Sequence, residues 1–145
     1  MCARFEPVTD PQRFRRVFGT ALPEREALAG GTAAPKRTEV FPGGWAPVVR
    51  ATAQGLSEGR ITADDDGPPG HEAVWAMFGL VPEWAKDTKI CRSTYNARSE
   101  TVAEKPSFRS AWARHRHCIV PAELITEPDY RSGKAVPTGI ACGDG

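Results

Sequence analysis

The chain has 145 residues, which fits one domain of ordinary size. Hydrophobic residues make up 40% and charged residues 26%, values typical of a soluble globular protein. The net charge of +1 excludes a global polycation, so a nucleic-acid-binding surface would have to be a local patch. No apolar run approaches the roughly 20 residues that cross a membrane, and the N-terminus lacks a signal peptide, which predicts a cytoplasmic protein.

The first element expected along the chain is a short amphipathic helix over residues 11–18. Asp10 can cap its N-terminus, Pro11 suits its first turn, and Gly19 can end it. The apolar residues between these signals recur at helical spacing, so one face of the helix is expected to be buried.

Short strands are expected over much of the remaining chain. Apolar runs bounded by proline, glycine or polar residues indicate them at residues 40–52, 60–63, 74–81, 118–120 and 137–141. Two helical segments lie among them: Thr101 to Glu104 has capping-box spacing, and Ser107 can cap a longer helix. Many short strands with few helices predict an α+β fold.

Cys2 directly follows the initiator methionine, and a cysteine is small enough for Met1 to be removed. Removal would leave an α-amine and a thiol on adjacent carbons, a pair that condenses with an aldehyde to a five-membered thiazolidine. An α-amine is less basic than lysine and is substantially neutral at physiological pH, and the thiol is the most nucleophilic side chain. Cys2 is therefore a candidate nucleophile, with an ordinary cysteine near the terminus as the alternative.

The stretch from Lys86 to Cys118 is a local basic patch. It holds eight lysines and arginines against three acids, a net charge of +5 in a chain whose total is +1. Interleaved Tyr95, Phe108 and Trp112 offer faces on which bases could stack. This pattern predicts a nucleic-acid-binding surface, and the alternative is a solvated surface over core aromatics.

The remaining cysteines, Cys91, Cys118 and Cys142, are far apart in sequence, and the chain has no C-x-x-C pair. Such spacing does not predict a zinc site, and in a reducing cytosol all the cysteines are expected to be thiols. The sequence therefore predicts neither a metal nor another cofactor.

Four blocks, in order along the chain, carry a more specific pattern. They read M-C-A-R-F from Met1, F-G-L-V-P-E-W-A-K-D from Phe78, N-A-R-S-E-T and K-P-S-F-R from Asn96, and C-I-V-P-A from Cys118. Together they resemble the M-C-G-R-F, W-G-L-I-P-x-W-A-K-D, N-A-R-x-E-T with K-P-S-F-R, and C-L-I-P-A blocks of the SRAP (SOS-response-associated peptidase) family. Because the blocks span nearly the whole chain, it is identified as a member of that family.

The resemblance implies a role for each matching residue. Cys2 matches the nucleophile that forms a thiazolidine with the ring-opened deoxyribose of an abasic site. Asn96 matches the asparagine that orients the Cys2 amine and the sugar, and Arg98 matches an arginine that grips backbone phosphate. Further DNA contacts are expected from Arg4, Lys105 and Arg109.

Glu127 falls at the offset of the family's acid–base glutamate, which follows C-L-I-P-A in the pattern G-F-Y-E-W. Its neighbours differ here and read L-I-T-E-P. Its implied role is proton transfer during sugar opening and Schiff-base formation, work that burial of a carboxyl favours. The alternatives are a surface acid before Pro128 and, at the wrong offset, Glu123.

Three features depart from the family pattern. Ala3 replaces the usual glycine beside the nucleophile, which reduces backbone freedom there. Residues 41–49 stand where many members have an N-x-A-P-T-Q stretch. Members also carry a catalytic histidine after an A-G-L-W segment, and none of the three histidines of this chain matches it. We therefore expect residues 1–145 to form a single SRAP domain truncated at its C-terminal end.

The resemblance further implies a SRAP-type α+β fold, in which mostly antiparallel or mixed sheets form a barrel-like core with a few short helices. In a truncated chain the last strand, over residues 137–141, would lack a partner and expose an edge. Such a chain would be poorly soluble or would pair with another copy. A full-length chain is expected to be a monomer of bacterial type, cytoplasmic and associated with the nucleoid.

The leading hypothesis is covalent capture of abasic sites in single-stranded DNA through Cys2, by a DNA–protein cross-link. The family name adds a peptidase that acts on its own N-terminus, which places the protein in the hydrolase or lyase class. Two other hypotheses stay open. One is a non-catalytic single-stranded DNA-binding module, and the other is a general thiol peptidase or amidohydrolase, which the lack of an obvious histidine base disfavours.

Overall fold

Short strands and helices follow one another along residues 4–24, 39–53 and 70–143, the parts of the chain that the computed structural model describes. The elements are β1 (Arg4–Pro7), α1 (Pro11–Phe18), β2 (Trp45–Ala51), β3 (His71–Met77), a 3-10 helix (Thr88–Arg92), α2 (Arg109–Ala113), β4 (Cys118–Ile119), β5 (Ala122–Asp129) and β6 (Val136–Ile140). No helix within these ranges is long and apolar enough to span a membrane.

The strands form two antiparallel three-stranded sheets, in the orders β1-β5-β6 and β3-β2-β4. This arrangement confirms the α+β class. The described strands of the two sheets do not close into a barrel, so the expectation of a barrel-like core is wrong for these parts of the chain. The contact between the sheets is instead made by side chains and by an isolated bridge between Phe5 and Val40.

Phe5 joins the two sheets. Its side chain is only 4% exposed and packs against Val40 and against Ala46 of β2. Its backbone N–H donates to the Val40 carbonyl at 3.2 Å, and its own carbonyl accepts from the Val40 N–H at 2.7 Å. Phe78 and Ala122 pack against the same cluster, so this part of the core lies between the sheets.

The helix α1 packs on the other side of β2, because odd and even positions of a strand face opposite sides. Phe14 is fully buried there against Val8 and Val49. The Asp10 side chain caps the first turn, and Gly19 ends the helix in the left-handed conformation at φ 65°. The helix predicted from the sequence is confirmed with both of its caps.

Pro47 lies in the central strand of its sheet, where proline is unusual because it has no N–H to donate. On one side it pairs with Trp75 of β3. On the other side β4 is short and pairs only with Val49 and Arg50. The missing donor of Pro47 therefore removes no bond between β2 and β4.

The strand β3 begins at His71 and ends at Met77, four residues before the end of the predicted strand. Its ladder gives way to a turn, in which the Phe78 N–H donates to the Gly44 carbonyl at 2.7 Å. Gly79 then bends the chain at a φ of 110°, which an L residue rarely adopts. This bend carries the following residues toward the 3-10 helix.

The sequence does not predict β5, whose residues A-E-L-I-T-E-P-D mix acids and a proline with few apolar side chains. This strand pairs with β6 from Ile125 opposite Ile140 to Asp129 opposite Val136. The expectation that the last strand lacks a partner is therefore wrong. The predicted strand at 118–120 is confirmed as β4, and the one at 60–63 lies outside the described residues.

The predicted cap of the second helix is also wrong. Phe108, and not Ser107, precedes α2, and it makes no side-chain capping bond. The reason is that the backbone already turns before this point, since the Arg109 N–H donates to the Lys105 carbonyl at 2.9 Å. The donors that Ser107 would have capped are therefore in use.

Gly79 approaches the backbone of Cys91 too closely for any side chain. A Cβ built on Gly79 would lie 2.3 Å from the Cys91 carbonyl oxygen. We expect Gly79→Ala to lower the free energy of unfolding by about 3 kcal/mol, because backbone strain and a steric clash add together. Urea denaturation followed by circular dichroism measures this loss.

Gly133→Ala is the matched control. Gly133 also has a positive φ, of 78°, but no atom lies within 4 Å of the position of its Cβ. The substitution should cost only the strain, about 1 kcal/mol. Equal losses in the two variants would contradict the close approach at Gly79.

Candidate functional site

A small cavity of about 180 Å³ lies between β1, β5 and the segment that follows the 3-10 helix. Phe5 and Ile125, which face each other across the β1–β5 ladder, line one part of it, and Tyr95 and Asn96 line another. Asn96 is half-buried, and its side chain makes no hydrogen bond within the described residues. An amide in such a place can donate to and accept from a ligand in an otherwise apolar cavity.

Glu127 lies on β5, half-buried and two residues beyond Ile125. Side chains two apart on a strand share a face, so Glu127 lies on the same face of β5 as Ile125. Ile125 lines the cavity, and Glu127 lies one step farther along the strand, beyond the lining residues. Its neighbour across the β5–β6 ladder is Thr138. The rival acid, Glu123, forms an ion pair with Arg13 of α1 and so ties β5 to that helix.

The strand β1 leads the N-terminus of the chain to the same cavity. Its first residue, Arg4, pairs with Thr126 of β5, the neighbour of Glu127. Residues 1–3, and with them the predicted nucleophile Cys2, lie outside the described residues. The Arg4 Nη1 atom lies 3.1 Å from Glu39 Oε1, so the predicted DNA contact at Arg4 already has an acidic partner in the chain.

Arg98, Lys105 and Arg109 are exposed and have no acidic partner within the described residues. Successive turns connect them: the Val102 N–H donates to the Arg98 carbonyl, the Lys105 N–H to that of Thr101, and the Arg109 N–H to that of Lys105, all at 2.9 to 3.0 Å. These bonds place the three exposed, unpaired cations on one run of consecutive turns, and we call them the cation row.

Two other cations of the basic patch share one acidic partner. Glu83 Oε1 lies 2.9 Å from Arg114 Nη1 and 3.3 Å from Arg116 Nη1. Exposed pairs of this kind stabilise a fold by at most about 1 kcal/mol, but the carboxylate offsets one of the two positive charges that would otherwise attract a polyanion. Arg114 and Arg116 are therefore less available to a phosphate than the cation row.

The aromatic residues of the patch differ in exposure. Tyr95 and Phe108 are half-buried, and Trp112 is 44% exposed. Trp84, which the sequence did not single out, is 60% exposed, and its indole N–H donates to the Pro106 carbonyl at 3.5 Å. The available signal was its place in the polar run P-E-W-A-K-D. Within and beside the basic patch, Trp84 and Trp112 are therefore the most exposed of these aromatic rings.

Two of the three described cysteines are poor candidates for a nucleophilic role. Cys91 is buried. Cys118 is accessible at the end of β4, yet burial around its thiol raises the pKa, which keeps the thiol protonated and weakly nucleophilic at neutral pH. Cys142 is exposed. The described residues contain no group of three or more histidine, cysteine or acidic side chains that could hold a metal ion.

The whole chain, residues 1–145, matches the family model for the SOS response associated peptidase (SRAP). The chain belongs to the SRAP family. The blocks that suggested this membership also supply Asn96, Arg98, Lys105 and Arg109 of the surface just described.

Curated relatives of this SRAP chain carry the name abasic site processing protein. YoqW of Bacillus subtilis (strain 168) is 52% identical over 71 residues, which cover 49% of this chain and 31% of YoqW. HMCES of Rattus norvegicus is 33% identical over 72 residues, which cover 47% of this chain and 20% of HMCES. The matched segments thus span a third or less of these relatives.

Two solved structures have a similar fold over nearly the whole chain. A protein from Bordetella bronchiseptica superimposes with a TM-score of 0.70 at 30% identity, covering 99% of this chain and 58% of that one. A protein from Bacteroides thetaiotaomicron gives a TM-score of 0.64 at 22% identity, covering 99% of this chain and 56% of that one. The chain therefore spans little more than half of either structure.

The cation row should bind phosphates of DNA. We expect Arg98→Gln to weaken binding of an undamaged single-stranded oligonucleotide by about 3- to 10-fold and to reduce the salt-dependence slope by about 0.7, because one phosphate contact is lost. Fluorescence anisotropy at several salt concentrations measures both quantities. Arg15→Gln on α1 is the control, since Arg15 is also exposed and unpaired within the described residues. Equal weakening by both substitutions would count against a localised surface.

Proposed function

We propose that this SRAP chain captures abasic sites in single-stranded DNA as a covalent thiazolidine cross-link through Cys2, once Met1 has been removed. The observation that carries the proposal is one small cavity, with three features in or next to its walls. These are the half-buried amide of Asn96, the face of β5 that bears Glu127, and the strand that leads to the N-terminus. The names of the curated relatives support the class of lesion.

Chain connectivity supports Cys2 as the nucleophile. Two residues of extended chain span at most about 7 Å, so Cys2 is tethered within that distance of Arg4. Arg4 pairs with Thr126, whose neighbour is Glu127. The tether is therefore short enough for a free N-terminal amine to reach a sugar held beside Asn96 and Glu127.

The chemistry consists of two additions and the loss of one water, assisted by proton transfers. The Cys2 α-amine adds to the aldehyde carbon of the ring-opened deoxyribose, and loss of one water gives a Schiff base. The Cys2 sulfur then adds to the imine carbon, and its proton ends on the nitrogen, which closes the thiazolidine. Glu127 accepts and returns protons during these steps, and the Asn96 amide orients the amine and the sugar. Nothing is oxidised or reduced.

The exposed groups supply the DNA-binding part of the function. The cation row binds phosphates on either side of the lesion, and the indoles of Trp84 and Trp112 stack against neighbouring bases. A single strand fits this surface better than a duplex, because its bases are free to stack on side chains. Self-processing uses the same groups once in cis, hydrolysing the Met1–Cys2 peptide bond with one water to expose the amine.

An oligonucleotide with one abasic site tests the proposal. The wild-type chain should form an adduct that survives denaturing electrophoresis, and mass spectrometry should find it on a chain that begins at Cys2. Cys2→Ala should abolish the adduct. Cys142→Ala, which removes an exposed thiol elsewhere in the chain, should leave it unchanged. Reversible binding without an adduct would replace the proposal with a DNA-binding module, and peptide cleavage without an adduct would replace it with a thiol peptidase.

Glu127→Gln tests proton transfer separately. We expect it to slow adduct formation by about 100-fold or more, because general acid–base catalysis contributes at least that much, while affinity for the oligonucleotide stays the same. Single-turnover kinetics at saturating DNA measure the rate. Glu123→Gln is the matched control on the same strand, since Glu123 pairs with Arg13. A loss for Glu123→Gln as large as that for Glu127→Gln would reject the assignment.

A further inference from the structure

Three aromatic rings run in a row from β1 to the residue before Asn96. The ring centroids of Phe5 and Phe78 are 5.2 Å apart with an interplanar angle of 79°, and those of Phe78 and Tyr95 are 5.9 Å apart at 74°. Both contacts are edge-to-face, the arrangement that the quadrupoles of aromatic rings favour. Phe78 therefore stands between the strand that follows Cys2 and the segment that carries Asn96.

The middle ring is anchored independently of any ligand. The Phe78 N–H donates to the Gly44 carbonyl, and the Phe78 carbonyl accepts from the Gly43 N–H, both at 2.7 Å. The next residue, Gly79, lies against the backbone of Cys91. Phe78 thus has a fixed backbone on both sides, and its ring can act as a rigid spacer.

Asn96 has less support of its own. Its side chain makes no hydrogen bond within the described part of the chain. Two residues earlier, the buried Thr94 accepts from the Leu80 N–H at 3.2 Å and donates its hydroxyl to the Leu80 or Ile90 carbonyl. Tyr95 is the one residue between Thr94 and Asn96. The contact of its ring with Phe78 therefore keeps this segment against the cavity.

We infer that Phe78 is a positioning residue, whose ring sets the spacing between β1, the strand that follows Cys2, and the Asn96 amide. The inference rests on the function proposed above. Both neighbours of the ring, Phe5 and Tyr95, line the same cavity as Asn96, and so does Phe78 itself. Removal of the ring lets the two walls of the cavity shift relative to each other. The reaction of bound DNA should then slow, while binding by the exposed cation row should not change.

Phe78→Leu tests this spacing in the full chain with an abasic oligonucleotide. We expect the single-turnover rate at saturating DNA to fall by about 10- to 100-fold, because a displacement of about 1 Å in a reacting geometry can cost 100-fold. The DNA concentration at half-saturation should stay within about twofold, since phosphate contacts set it. Phe78→Trp, which keeps an aromatic edge, should recover most of the rate.

Phe18→Leu is the matched control. Phe18 also makes an aromatic contact, with Phe14 at 5.1 Å, but it packs in the cluster under α1. The Phe18→Leu substitution should leave both the single-turnover rate and the DNA concentration at half-saturation unchanged. If Phe78→Leu does not fold, Tyr95→Leu removes the outer contact of the same row and should give the same loss of rate alone.

The possible results distinguish a failure of this inference from a failure of the proposed cross-linking function. No adduct with the wild-type chain would overturn both. A wild-type adduct with an unchanged rate in Phe78→Leu, or a rate that Phe78→Trp fails to restore, would overturn the positioning role alone. A loss of rate with unchanged half-saturation, restored by Phe78→Trp and absent from Phe18→Leu, would establish it.

Discussion

Phe5 is buried on a strand of only four residues, and both sheets depend on it. Antiparallel sheets of three strands are close to the smallest that are stable, so each needs a face to pack against. A fully buried phenylalanine contributes about 1.5–3 kcal/mol through the hydrophobic effect, a large fraction of the stability of a small domain. The two backbone hydrogen bonds between Phe5 and Val40 also fix the orientation of β1, because Val40 lies in the segment that leads into β2.

The position of the candidate site follows from that contact. With Phe5 fixed, the β1–β5 register places Ile125 opposite it, and strand alternation then puts Glu127 on the same face. The cavity wall on the other side comes from the segment around Asn96, which the bend at Gly79 brings back toward β1. The function proposed for the chain would separate binding from chemistry, because the cations lie on exposed turns while the cavity is lined by the core.

Local signals in the sequence were enough for some elements and not for others. The caps of α1 act within a few residues, so Asp10 and Gly19 predicted both of its ends. The strands β1 and β5 pair with each other although they are far apart in sequence. The acids and the proline of β5 are unusual in strands, so its sequence alone does not indicate one. The turn that follows β3 places Gly79 against the backbone of Cys91. The sequence around β3 contains no signal for this contact.

The candidate site was predicted in the same uneven way. Asn96 and the cation row lie in a block that is distinctive in sequence, and the structure brings Asn96 to the cavity. The role of Glu127 was predicted only from its distance along the chain to the C-I-V-P-A block. Its position beside Ile125 depends on β5, a strand that the sequence does not predict. The pairing of two arginines with Glu83 could not be predicted either, because it joins side chains about thirty residues apart.

The proline in the middle of β2 has a consequence for the hydrogen bonds of the core. Among the described strands, β4 covers only the Val49 and Arg50 positions of β2, so the first half of that strand has no neighbour on this side. Pro47 is nevertheless almost fully buried, so water cannot serve as a partner there. A buried N–H without a partner is costly, and proline has no N–H to leave unpaired. The residue that looks out of place in a central strand thus spares the core an unsatisfied donor.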